Sequence, residues 1–177
     1  DGSLSNSATY NFKATVPNTA PTLSDITGNA LTITTGAKSS LSGIQVTDPD
    51  AGQQFALTLN ATGGTITDLL DEDSSTTGFQ IKGSVAEINA KLAAAKLIAT
   101  ADGNVVVTAS VTDGVVSNPV NKTYTFTAQN IAPTLTTVAA FNGREDTALN
   151  LTWSELTKAS NAADANGTVD AFKVTSV

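Results

Sequence analysis

Residues 122–128 read KTYTFTA. Tyr124, Phe126 and Ala128 fall on one side of an extended chain and Thr123, Thr125 and Thr127 on the other, because side chains alternate faces along a strand. Strict alternation of this kind predicts a strand with one buried and one solvated face. A similar block, YNFKA, stands at 10–14, and its neighbours recur too. DGSLSN (1–6) matches DGVVSN (113–118), and NTAPTL (18–23) matches NIAPTL (130–135). Three blocks in one order, about 112 positions apart, mark a tandem repeat. One complete unit is expected over 18–129. Residues 1–17 read as the C-terminal strand or strands of a preceding unit, and 130–177 as the N-terminal part of a following one.

Period two dominates the complete unit. QFALTLN (54–60) alternates Phe55, Leu57 and Leu59 with polar or small neighbours, and VVVTASV (105–111) puts Val105, Val107, Ala109 and Val111 on one face. LTIT (31–34), SGIQV (42–46), GTITDLL (64–70) and FQI (79–81) are shorter strand candidates, separated by Gly, Asn and Asp clusters. One segment, SVAEINAKLAAAKL (84–97), breaks the pattern. Ser84 with Glu87 three residues on forms a capping box. Val85, Ile88, Leu92 and Ala95 then recur at helical spacing, so a helix of about three turns should bury that stripe in the core. The fold class expected is all-β: antiparallel β-sandwich repeats in tandem, with one short helix in the full unit.

Composition removes whole classes of function. Of 177 residues 40% are apolar, enough for a core, and none is Cys, His or Met. No thiolate or imidazole is therefore at hand for structural zinc or for cysteine or Ser-His-Asp nucleophiles. A net charge of −7 argues against a phosphate backbone as partner and leaves divalent cations as the natural ionic ones. No apolar run approaches the ~18 residues that span a bilayer. The chain begins at Asp with no signal-peptide pattern, and reads as a window from something longer.

The stretch with most chemistry is VTDPDAG (46–52), where Asp48 and Asp50 follow an alternating run. Calcium takes 6–8 oxygen ligands, and carboxylates two residues apart in a turn can converge on one ion. Pro49 stiffens such a turn and Gly52 frees the backbone to bend. The same residues also make an ordinary turn, since Asp caps turns with its own side chain.

IQVTDPDAGQQFALTL (44–59), VTDGVVSN (111–118), the two linkers, and GSVAEINAKLAAAKLIAT (83–100) together resemble the cadherin-like, immunoglobulin-like tandem repeats of large RTX-type bacterial surface adhesins. REDTALNLTWSEL (144–156) looks like the opening strand of such a repeat. The resemblance implies immunoglobulin/cadherin-like sandwiches joined end to end, with Ca2+ at each junction. Its ligands would be Asn18, Asp48, Asp50 and Asp113 at the first junction, and Asn130, Asp164 and Asn166 at the second. Asp1 would serve a unit that mostly precedes the chain. A departure is that TGAKS (35–39) carries Lys38 where REDT carries Glu145 and Asp146. The function implied is a calcium-rigidified stalk of an extracellular or cell-surface adhesin, supporting adhesion or biofilm formation. Its partners would be neighbouring repeats, with any host or matrix ligand bound by other domains. The alternative is a recognition module that itself binds glycan or protein.

Three lesser features complete the reading. DLLDEDSSTTG (68–78) is a solvated acidic turn or a further cation loop, and ATADGNV (99–105) a hairpin turn or a calcium loop through Asp102 and Asn104. Trp153 is expected in the core rather than stacked on a sugar. No P-loop, Rossmann or zinc-helix motif occurs, and an enzyme is not expected.

Overall fold

In the computed structural model the run 122–128 forms the middle of a ten-residue strand, Val120–Gln129. The structure describes residues 9–11, 17–26 and 31–173, so most of the strand expected within 1–17, and Asp1, lie outside the described residues. In chain order the strands are β1 Thr22–Leu23, β2 Thr32–Thr34, β3 Ser39–Ser40, β4 Val46–Thr47, β5 Phe55–Thr62, β6 Gly64–Thr67, β7 Phe79–Gly83, β8 Lys96–Ala99, β9 Gly103–Thr112 and β10 Val120–Gln129. The helices are α1 Val85–Ala94 and α2 Trp153–Ala159. Five strands pair in the order β2-β10-β9-β5-β7, three as β3-β8-β6, and β1 pairs with β4. The fold is β-rich and its pairs are antiparallel with one exception: β2 runs parallel to β10, Thr32 opposite Thr127. Those two strands are far apart in sequence, so no tight hairpin dictates their sense.

Alternation decides which side chains are inside. Leu57, Leu59, Val105, Val107, Val111, Tyr124 and Phe126 are buried from the five-stranded sheet, and Ile66, Leu97 and Ala99 from the three-stranded one. They join one core. Burying side chains of this size contributes roughly 1.5–3 kcal/mol each before conformational entropy is subtracted. Helix α1 closes the core with Ile88 and Leu92, and Ala95 just beyond it is also buried, while Val85 is only half-buried. Its capping box forms as expected: Ser84 accepts from the Glu87 amide while Glu87 accepts from the Ser84 amide. The helix stops at Ala94, earlier than position 97, because the burial period switches from helical to alternating at Leu97 and Ala99. Asn89 then fixes β4, donating to the Val46 carbonyl and accepting from its amide at 2.9 and 2.8 Å.

Two expected strands are shorter than their patterns. Within 42–46 only Val46 is in a strand; Leu41 to Ile44 make a turn closed by the Ile44 amide on the Leu41 carbonyl at 2.9 Å. Gly43 in this turn leaves room for Ile26, since a Cβ there would lie 3.2 Å from Ile26 Cδ1. Strand β6 ends at Thr67 because Asp68 takes a left-handed φ of 57°, a conformation Asp tolerates, and pairs with Lys38 at 2.9 Å.

The acidic loop 68–78 is largely exposed, as a solvated turn would be, yet it is hydrogen-bonded to the sheet. It closes the open edge of β7. Asp71 Oδ1 accepts from the Gln80 amide (3.0 Å), Glu72 Oε2 from the Lys82 amide (2.6 Å), and the Gln80 carbonyl accepts from the Glu72 amide (2.8 Å). Lys91 of α1 binds the other oxygen of Glu72 and the Lys82 carbonyl. Unpaired edges invite strand addition from other chains. Replacing Asp71 and Glu72 together with alanine should therefore produce concentration-dependent association by light scattering; a monodisperse variant would show that the edge is guarded otherwise. Acid should act in the same direction. Lys91, then the Lys82 amide, holds the Glu72 carboxyl below its ordinary 4.5, so its contribution is complete above that value. It is lost as pH falls through the depressed one.

Beyond Asn130 one pairing matches an earlier one. Thr134 bridges Ala163 as Thr22 pairs with Thr47, 112 and 116 residues earlier. The stretch 144–156 is not a strand, contrary to expectation. Its end enters α2, whose Thr152 and Glu155 form a second capping box. Trp153 is not in a core either: it is 46% exposed and tilts against Phe172, ring centroids 5.1 Å apart. Among the described residues none beyond Ala128 is buried, so this stretch offers the indole no interior to enter. The two linkers lie at opposite ends of β9, since Asn18 bonds Asp113 just after its last residue while Gly103, its first, is opposite Ala128. No helix among the described residues is long and apolar enough to cross a membrane.

Candidate metal centre

Two antiparallel registers deliver the first set of predicted residues to one place. Thr22 lies opposite Thr47, so Asn18 and Thr19, which precede β1, reach Asp48 and Asp50, which follow β4. Ala56 lies opposite Thr112, so Gln53 before β5 and Asp113 after β9 share the same end.

The hydrogen bonds run through the linker. Asn18 Nδ2 donates to Asp113 Oδ2 at 2.7 Å, and Gln53 Nε2 donates to Asn18 Oδ1 at 2.5 Å. The Thr19 amide donates to Asp50 Oδ2 at 2.7 Å. Asp50's own amide donates to Asp48 Oδ1 at 2.7 Å, the Asx turn that the DPD sequence favours. Asp113 is 8% exposed, and its Oδ1 accepts from the Val115 and Val116 amides at 2.8 and 2.9 Å. The Asn18 amide, then the Val116 amide, holds its carboxyl below the ordinary range, so it stays charged.

Two oxygens here are left over. Asp48 Oδ2 and Gln53 Oε1 are both buried and lack any donor. An orphaned buried acceptor costs roughly 1–3 kcal/mol, so each is suited to a cation or an ordered water. Gln53 was not marked by the sequence pattern; its only signal is a polar run, GQQ, ahead of a strand. Among the described residues no three acidic groups converge closely enough to hold an ion by themselves. A cation would therefore have to draw on amide oxygens of Asn18 and Gln53 together with the carboxylates.

The second predicted set is also brought together. Asn166 Nδ2 donates to Asn130 Oδ1 and to the Thr35 carbonyl, both at 2.8 Å, and Asn166 Oδ1 accepts from the Ile131 amide at 3.2 Å. Asn166's amide donates to Asp164 Oδ1 at 3.0 Å. Asp102, from the loop 99–105, lies at the same end and accepts from the Thr35 hydroxyl. That loop is not a hairpin turn, because β8 and β9 belong to different sheets. Glu145 and Asp146 are in an exposed turn in which Asp146 has φ 57°. Comparison of the chain with family models, curated proteins and solved structures gave no match.

Proposed function

We propose that the chain is a segment of an array of immunoglobulin/cadherin-like sandwiches that acts as a calcium-stiffened stalk of a bacterial surface adhesin. In this reading it is extracellular, carries no catalytic site and contributes length to adhesion or biofilm formation. The observation that supports it best is the pair of orphaned oxygens, Asp48 Oδ2 and Gln53 Oε1, beside a linker already bonded to Asp50 and Asp113. Asn18 and Gln53 would supply amide oxygens beside the carboxylates of Asp48, Asp50 and Asp113, and the divalent ion would offset two of the three negative charges and bind linker to loop.

The recognition-module alternative needs an exposed aromatic patch on residues 18–129. There Phe55, Tyr124 and Phe126 are buried and Phe79 half-buried, which favours the stalk. Calorimetric titration tests the proposal. Calcium is expected to bind with Kd of about 0.1–1 mM, as extracellular modules do. Asp48→Asn should weaken it about ten-fold, or 1.4 kcal/mol. Absence of both heat and a melting shift in millimolar calcium would defeat the proposal.

A further inference from the structure

The two linkers meet their loops in matching fashion. The Thr19 amide bonds Asp50 as the Ile131 amide bonds Asn166. The amide of residue 50 bonds Asp48 as that of residue 166 bonds Asp164. One atom differs in kind. The second side chain of the loop is a carboxylate at position 50, which can only accept, and a carboxamide at position 166, which also donates.

That donor gathers oxygens. Asn166 Nδ2 is 2.8 Å from Asn130 Oδ1 in the linker and 2.8 Å from the Thr35 carbonyl at the end of β2. Its orientation is fixed chemically, because the Ile131 amide can only donate to Oδ1 and the Thr35 carbonyl can only accept from Nδ2. The segments sit close: a Cβ on Gly36 would lie 3.2 Å from the Asn166 carbonyl oxygen, at a φ of +75° that already favours glycine. A single NH2 group thus spans residues 18–129, the linker and the loop that follows.

We propose that Asn166 takes the place of a cation at the second joint. That joint is then held without metal, and the residue at this loop position, Asp or Asn, sets whether a joint responds to calcium. The contrast with the first joint rests on the calcium reading above; the amide clasp does not. An aspartate at 166 would turn two acceptors into unpaired neighbours of a new negative charge and make the joint require an ion.

The chain has no cysteine, so labels can be placed at will. Spin labels at Thr123→Cys on β10 and Ser154→Cys on α2, both exposed, report the second joint by their distance distribution. The otherwise unaltered chain is expected to give the same narrow distribution in EDTA and in millimolar calcium. Asn166→Ala should lose the narrow peak in both, and Asn166→Asp should lose it in EDTA and regain it with calcium. A parent chain that broadens in EDTA and narrows with calcium, or an Asn166→Ala joint that stays narrow, overturns the clasp. An Asn166→Asp joint that stays narrow in EDTA overturns the rule for that position. The alanine arm needs no calcium, so it decides on the clasp whatever the first site does.

Discussion

Phe126→Ala is expected to cost about 3–5 kcal/mol, the usual range for removing a buried aromatic ring. The ring is 1% exposed and lies opposite Val105, itself buried, within the β9–β10 ladder, so solvent cannot readily move in to fill its space. Domains of this kind have about 5–15 kcal/mol in total, so the variant should stand near its margin at room temperature. Urea unfolding provides the measure. Thr125→Ala, one residue away on the solvated face, is the control and should change stability by less than about 0.5 kcal/mol. Equal losses at the two positions would mean that alternation does not set the buried face of β10.

The second large effect is expected at Asp113, the residue on which linker and strand end converge. Asp113→Ala removes the acceptor of Asn18, Val115 and Val116 at once, and should lower the melting temperature with or without calcium. Asp113→Asn keeps an oxygen for the two backbone amides but turns an NH2 toward the donor of Asn18. It should stay folded and lose most of its calcium-induced melting shift. The sign of the pH response follows from the depressed carboxyl. Its contribution is complete above the ordinary 3.8 and is lost as pH falls through the lower folded value. An Asp113→Asn chain with an undiminished calcium shift would remove Asp113 from the site.

What the sequence discloses is what local periodicity encodes. β5, β9 and β10 alternate over eight to ten residues, and their buried faces match the pattern. The capping box of Ser84 and Glu87 places the start of α1, and the same chemistry at Thr152 and Glu155 was equally legible but hidden within a presumed strand. What depends on distant partners was not legible. The parallel sense of β2 is set by its neighbour, and the acidic loop by the edge it covers. At the candidate site the Asp48–Asp50 pair is marked by its spacing, and the other Asp and Asn positions only by the family resemblance. Gln53 joins them only because the β5–β9 register carries it to the end where Asp113 sits.

The placement of the linkers at opposite ends of β9 has a mechanical consequence. Force transmitted from Asn18 to Asn130 would run along the strands, whose ladder bonds lie across that direction. The nine facing pairs of β9 and β10 would then be loaded in shear, all together, instead of being unzipped from one end. Such a module would resist tension as a lap joint does, and would yield late and abruptly.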